Sequence, residues 1–131
     1  MEMVLATREA VVQFLAGNSL VGLLVAAGSI HGERVPDNRT FPMVIVQPPS
    51  SIPFRTSCHN GEQVIFNISA FAGGPSMDDA AEIGGVIKSV LDGATLTIDG
   101  VKTSVIWTGG NIIRDAADPD LWHHFNSFVV N

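Results

Sequence analysis

The chain has 131 residues, which is the length of one domain with a single hydrophobic core. Apolar residues make up 46% of the sequence and charged residues only 15%, so we expect part of the apolar surface to contact other protein. The net charge of −6, with only seven Lys and Arg residues, argues against a dedicated nucleic-acid-binding surface, because phosphate recognition needs clustered cations. A single cysteine excludes an internal disulfide, and a reducing compartment is the default.

The segment LVGLLVAAGS, residues 20–29, superficially resembles the core and cleavage site of a secretory signal peptide. Glu2 and Glu9 precede it in place of the cationic cluster that such peptides carry. Its apolar run from Leu20 to Ala27 is also far short of the roughly 20 residues that span a bilayer. We therefore expect a soluble protein with no membrane partner.

Apolar residues at helical spacing predict two helices at the N-terminus. The stripe of the first helix is predicted to contain Leu5, Val11, Val12 and Leu15, and Gly17 is placed to end it. Asn18 or Ser19 should cap a second, shorter helix that ends at Gly28. Its apolar residues are Val21, Leu24 and Val25. Together the two helices predict a helical hairpin.

A short strand and an unpatterned segment follow. A Pro36-Asp37-Asn38 turn leads into PMVIVQ, residues 42–47, whose continuous apolar run predicts a strand covered on both faces. From 48 to 61 the composition changes to Pro, Ser, Thr, Arg, Asn and Gly with no strand or helix periodicity. We interpret residues 48–61 as a long loop or arm, in which Asn60-Gly61 turns the chain into the next strand.

The next strand and helix have clear patterns. In EQVIFNISAFA, residues 62–72, apolar side chains alternate in the manner of a sheet covered well on one side. Ser76, with Asp79 three residues later, should open a helix that Gly93 ends. The buried stripe of this helix is predicted to contain Ala80, Ile83, Ile87, Val90 and Leu91. Gly84 should allow the helix to approach the sheet closely.

Three further strands complete the chain. Asp99-Gly100, between the alternating runs of residues 95–107, specifies a primed hairpin turn because both turn positions require positive φ. Gly109-Gly110 predicts a bulge or bend, AADPD at 116–120 is a loop, and LWHHFNSFVV is the last strand. The order predicts one α+β domain over residues 1–131, with a largely antiparallel β-sheet, a helix packed on one face and the N-terminal helical hairpin.

No group of reactive side chains predicts an enzyme, a metal site or a cofactor. Cys58-His59 lacks an accompanying motif that would supply a base, so it is interpreted as a polar loop with an incidental thiol. Asp118 and Asp120 could share a metal with only one of His123 and His124, because consecutive strand residues point to opposite faces.

Two other short motifs also have structural explanations. GGPS, residues 73–76, joins a strand to a helix but lacks the lysine and second glycine of a phosphate-binding loop. Arg114-Asp115 is interpreted as a surface ion pair or subunit contact rather than an acid and base pair.

In its order of features the chain resembles the tail-completion, or tail-terminator, family of long-tailed bacteriophages and gene transfer agents. The resemblance spans nearly all of the sequence, and its most characteristic stretches are LDG-x-x-L at 91–96 and I-R-D-x-x-D at 113–118. The segment 48–61 and WHHF at 122–125 depart from the family pattern.

The resemblance implies a structural virion protein. Such proteins form a homo-hexameric ring at the head-proximal end of the tail tube, where they stop tube polymerisation and support head-tail joining. The implied partners are other copies of the chain, the tail tube protein and a head completion or stopper protein. DNA would pass through the lumen without specific binding, which suits the scarcity of cations. The implied location is the virion, after assembly in the host cytoplasm.

Candidate contacts with a neighbouring subunit or partner are Ile52, Phe54, Arg55, Arg114, Asp115, Trp122 and His124. Arg55 is a cation able to pair with a carboxylate on a neighbour. Alternative interpretations are another head-tail connector or neck component, a minor tail tube protein, a small hydrolase that uses Cys58, and an oligomeric binding domain outside phage.

Overall fold

The computed structural model describes residues 3–32, 40–56, 59–74, 76–115, 118 and 120–130, with side chains for all of these except 3, 52–56 and 59–62. The predicted turn at 36–38 and Cys58 lie outside the described residues. In chain order the elements are α1 Met3–Gly17, α2 Ser19–Gly22, a 3-10 helix Ala27–Ser29, β1 Ile30–His31, β2 Met43–Val46, β3 Ser50–Thr56, β4 His59–Gly73, α3 Asp78–Leu91, β5 Thr95–Ile98, β6 Val101–Arg114 and β7 Leu121–Val130.

The strands form a seven-stranded sheet in the order β1-β2-β4-β7-β6-β5, and β3 pairs with β4 on the side where β2 also pairs. The two-residue β1 runs parallel to β2, while the other described strand pairs are antiparallel. Buried residues of α1 and α3 join one core cluster with residues from a single face of the sheet. The predicted α+β class, with a largely antiparallel sheet covered on one face, is confirmed.

The core is centred on β4 and β7, the two long strands in the middle of the sheet. The alternation predicted for residues 62–72 places one set of alternate β4 residues on the covered face, and the members Val64, Phe66, Ile68 and Ala70 are all buried. Phe66 pairs with Phe128 of β7, and their rings stack with centroids 5.3 Å apart. Two full aromatic side chains removed from water at the centre of the sheet make a large contribution to hydrophobic stabilisation.

The N-terminal helical pair forms as predicted, with two corrections. Leu5 is 37% exposed, because the buried stripe of α1 passes through Thr7, Val11 and Leu15, and Leu5 lies about 200° around the helix from Thr7. The Asn18 side chain caps α2, because its Oδ1 accepts hydrogen bonds from the backbone N–H groups of Leu20 and Val21. The second helix is shorter than predicted: α2 ends at Gly22, and a turn and the 3-10 helix carry the chain onward.

Helix α3 packs on the sheet through the predicted stripe, although Val90 is only partly buried. Gly84 faces the His124 ring so closely that a Cβ there would overlap it, which confirms the predicted close approach. Two residues further along β7, and on the same face, the buried Asn126 side chain bridges α3 and β6. Its Nδ2 donates to the Gly84 carbonyl at 2.9 Å, and its Oδ1 accepts from the Trp107 indole N–H of β6 at 3.0 Å. Ser76 is not the capping residue that the sequence predicted: its Oγ accepts from the Asp78 N–H, but the N-cap residue of α3 is Met77, which makes no side-chain capping hydrogen bond.

The hairpin from β5 to β6 has the predicted geometry. Asp99 and Gly100 have φ of 51° and 80°, the two positive values that a type I′ turn requires. The register of β6 against β7 shifts between Trp107 and Gly109, and Gly109 has φ of 154°, which is the predicted bulge.

The segment interpreted as a loop or arm contains a strand. β3 pairs with β4 without interruption from Ser50 opposite Ile65 to Thr56 opposite His59. The predicted turn at Asn60-Gly61 is wrong, since both residues lie within β4 and pair with β3. Pro53 lacks an N–H group to donate, and it is tolerated because β3 pairs on one side only among the described strands.

Candidate functional site

The predicted contact residues fall into two groups at opposite ends of β4. Ile52, Phe54 and Arg55 lie on β3, with Phe54 opposite Gly61. Trp122 lies opposite Ala72, eleven residues further along the same strand, which corresponds to about 36 Å along its length. The structure therefore separates the two groups rather than joining them in one site.

At the Gly61 end, a hairpin extends past the sheet. β7 pairs with β4 from Val64 onward, so among the described strands residues 59–63 pair with β3 alone. We call this two-stranded extension, residues 52–56 and 59–63, the hairpin arm. A long strand that leaves its sheet in this way carries its residues away from the core and towards other molecules.

At the opposite end, Arg114, Asp115 and Trp122 come together where β6 meets β7. The exposed Arg114 guanidinium lies 4.8 Å from the centroid of the partly buried Trp122 ring, a cation–π contact. Asp115 Oδ1 accepts from the Asp118 N–H, and Asp118 Oδ1 accepts from the Asp120 N–H, so carboxylates organise the loop. These carboxylates have structural roles in the turn.

His123 and His124 point to opposite faces of β7, as predicted. His123 stacks on Phe71 with centroids 4.4 Å apart, on the face away from the helices. Burial lowers the pKa of its imidazole below the ordinary value, and the negative charge of Asp115 partly offsets that effect. The ring is therefore mostly neutral near pH 7, which suits its position against an aromatic side chain.

His124 packs beneath α3, where it is adjacent to Gly84. Burial lowers the pKa of its imidazole, and the neighbouring His123 lowers it further. Its buried Nδ1 has no hydrogen-bond partner within the described residues. The His124 side chain packs between α3 and the sheet. Among the predicted contact residues with described side chains, it is therefore the one least accessible to a neighbouring subunit.

The described residues contain no group of three or more His, Cys, Asp or Glu side chains positioned to hold a metal ion. None of the described helices is long and apolar enough to cross a membrane.

A groove of 390 Å³ lies between α2, α3 and the ends of β2 and β4. Its apolar part includes Leu23, 81% exposed, and Phe41, 44% exposed, with the partly buried Leu24 beside them. Asp79 and Glu82, one turn apart on α3 and both exposed, are the charged residues among those that line it. The groove thus combines exposed apolar side chains with an acidic rim.

The groove could be only partly anticipated from the sequence. Leu23 is not among the apolar residues predicted for the buried stripe of the second helix, and this position off the stripe indicates an exposed side chain. Phe41 and Glu82 gave no such signal, because their meeting depends on how α3 lies beside the start of β2.

The whole fold is shared with a solved virion component. It matches a chain from a structure described as "Virion of native gene transfer agent (GTA) particle", with a TM-score of 0.85 and 17% identity over 98% of this chain and 95% of that chain. A second solved structure matches with a TM-score of 0.57 and 9% identity over 96% of this chain and 89% of that chain. At these identities the likenesses establish the fold alone. No curated protein gives a significant match.

A family model covering residues 9–130 defines the class of the chain, which is a structural protein of phage tails. The matched family is that of tail completion protein gp17, and the chain belongs to it. The resemblance carried by LDG-x-x-L and I-R-D-x-x-D is thereby confirmed. The chain is accordingly a virion component, in a family of structural tail proteins.

Proposed function

We propose that the chain forms a ring at the head-proximal end of the phage tail tube, ends tube polymerisation there, and presents the surface to which the head is joined. The family match over residues 9–130 is the observation that carries this proposal, because it covers the fold from α1 to β7. The arm and the groove support it, since a subunit of a ring needs two different surfaces to contact its two neighbours.

The proposed ring is a homo-hexamer. Its partners are the tail tube protein on one side and a head completion or stopper protein on the other. The charge of the chain is compatible with a lumen for DNA: thirteen Asp and Glu residues outnumber seven Lys and Arg, so the phosphate backbone meets few groups that could hold it. DNA passes without specific binding, and the ring assembles in the host cytoplasm before it joins the virion.

The exposed end of the β6–β7 pair is the proposed contact with the next ring of the particle. Arg114, held over Trp122, presents a cation there, beside a loop rich in carboxylates. Charge reversal by Arg114→Glu should weaken binding to a partner ring, while Cys58→Ser should leave assembly unchanged. A variant of Arg114 that assembles complete particles at the normal yield would remove this residue from the contact.

Electron microscopy of tails made with and without this protein tests the proposed function. Loss of the protein should give tails that are longer than normal or that remain unjoined to heads. Restoring the chain should return both tail length and joining. Tails of normal length that are joined to heads in its absence would refute the proposal.

The position of the protein in the particle provides an independent check. Density for the chain in the ring between the tube and the neck would agree with the proposed function. Density in another connector ring, or along the tube, would instead identify a neck component or a minor tube protein.

A further inference from the structure

We propose that the groove lined by Leu23, Phe41, Asp79 and Glu82 receives the hairpin arm of a second copy of the chain. This inference rests on the proposed ring and specifies the contact between its neighbouring subunits. It is carried by the chemistry of the groove, the chemistry of the arm and the distance between the two.

The groove requires an occupant with apolar side chains and a cation. Leu23 is 81% exposed and lines the same groove as Phe41, which is 44% exposed, and grouped exposed apolar side chains with a polar rim are typical of a protein-binding surface. Asp79 and Glu82 lie on the same side of α3, as residues three apart on a helix do, so their negative charges add at the rim. An apolar segment bearing one Arg or Lys complements both features.

The hairpin arm has this composition. Its β3 strand has the sequence SSIPFRT, in which Ile52 and Phe54 are apolar and Arg55 is the cation. The arm also offers an extended backbone beyond the edge of β7, where it pairs with no other described strand. Large apolar residues beside an arginine are typical of the small number of side chains that dominate protein interfaces.

The arm of one copy lies too far from the groove of the same copy. Gly61, opposite Phe54, belongs to the arm, whereas Ala72 lines the groove. Eleven residues of one continuous β-strand separate them, about 36 Å along the strand. Since β4 is a central strand with neighbours on both sides over most of its length, it cannot fold back on itself, so an arm that enters the groove has to come from a second copy.

A contact of this kind is heterologous, because one copy supplies the arm and the other supplies the groove. Each copy retains a free arm at one end and a free groove at the other, so binding continues from copy to copy. Such head-to-tail contacts close into a ring when the rotation between copies allows it. A ring therefore follows from two sites at opposite ends of one strand.

Charge exchange tests the polar half of the contact. Arg55→Glu and Glu82→Arg should each lower the association constant of the purified chain roughly tenfold or more in sedimentation velocity, with a shift towards the 13.9 kDa monomer. The two changes together should restore association to within about threefold of the wild type. Glu9→Arg, at an exposed glutamate of α1 that does not line the groove, is the matched control and should leave association unchanged.

Two leucines of the same region test the apolar half. Leu23→Ser should weaken association, because Leu23 lines the groove. Leu20→Ser is its control, since Leu20 is 54% exposed and lies outside the groove lining. Both variants should unfold at the same temperature as the wild type, which separates a lost contact from a lost fold. Equal association of the two variants would contradict the proposal.

Cross-linking locates the contact both in solution and in assembled particles. Arg55→Cys with Glu82→Cys, on a Cys58→Ser background, should give a ladder of covalent oligomers beyond the dimer after oxidation, while each single cysteine stops at the dimer. Absence of that ladder from both samples overturns the proposal, whatever else fills the groove. If the double-cysteine variant makes normal tails but gives no ladder, the arm contact is refuted and the proposed function is not. If the ladder forms, but tails made without the protein are normal in length and joined to heads, the proposed terminating role is refuted and the arm contact is not.

Discussion

Replacing Gly84 by alanine should destabilise the chain, whereas the same change at the adjacent Gly85 should stabilise it. A Cβ on Gly84 would overlap ring atoms of His124, including Cγ, so moving the tip of the ring does not relieve the contact. A Cβ on Gly85 meets no atom within 4 Å. The two positions share one helix and therefore share the gain in helix propensity from Gly to Ala, about 1 kcal/mol.

The difference in the free energy of unfolding between the two variants follows from the overpacking at Gly84, which has no counterpart at Gly85. Overpacking a closely packed position costs about 1–3 kcal/mol. Gly85→Ala should therefore raise the free energy of unfolding by up to about 1 kcal/mol, and Gly84→Ala should change it by roughly 0 to −2 kcal/mol after the same gain. The gap of about 1–3 kcal/mol between the variants is the robust quantity, because the propensity gain cancels.

Urea unfolding followed by circular dichroism measures this difference in the free energy of unfolding. His124→Ala completes a double-mutant cycle with Gly84→Ala. Because the imidazole ring is absent in the His124→Ala background, Gly84→Ala should there stabilise the chain by up to about 1 kcal/mol. Equal effects of the two alanines in the wild-type background would refute the packing of α3 on β7. So would a Gly84→Ala effect that His124→Ala leaves unchanged.

Three further predictions concern the core, the pH dependence and the cap. Ile87 is completely buried, so Ile87→Asp should leave the chain unfolded, since a buried unpaired charge costs more than a marginally stable domain can lose; a soluble, cooperatively unfolding variant would contradict its position. Burial lowers the pKa of His123 and His124 in the folded state, so the unfolded state binds more protons below about pH 6.5, and stability should fall as the pH drops from 7 towards 5.5. In His123→Phe, which keeps an aromatic ring against Phe71, thermal unfolding at the two pH values should differ less than in the wild type; an unchanged pH dependence would count against the burial of this imidazole. Asn18→Ala should lower stability by about 1 kcal/mol in urea unfolding through loss of the cap, whereas Asn18→Asp should retain most of it; equal losses would indicate that the cap contributes nothing.

The parts of the fold that sequence predicts well are those in which local preferences and tertiary packing agree. The Asp99-Gly100 turn is specified by two residues that accept positive φ, and the alternation around Phe66 by burial on one face. Helix α3 has a strong apolar stripe, and Gly84 indicated the close approach. In these segments the local sequence is sufficient to distinguish helix from strand, without knowledge of the residues that pack against them.

Elements defined by their partners were predicted less well. β3 contains Pro53 and only two apolar residues at alternate positions, Ile52 and Phe54, which is too short a pattern to predict a strand without its pairing with β4. α2 ends at Gly22, although apolar residues continue at helical spacing. Asn126, a buried amide that joins α3, β6 and β7, has no local signal, because its importance depends on the Gly84 carbonyl lying opposite it.

The exposed apolar side chains lie on more than one surface. Leu23 and Phe41 line the groove, but Ile106 and Ile113 of β6 are 45% and 48% exposed and are placed elsewhere. Ile106 pairs with Val129 and Ile113 with His123, so both belong to the sheet face that the helices do not cover. The proposed contact between arm and groove would therefore account for one part of the apolar excess in the composition, and it leaves these two residues of the other sheet face exposed. A subunit that contacts only its two ring neighbours would have no use for that face, whereas one that also meets the rings above and below requires further surfaces of this kind.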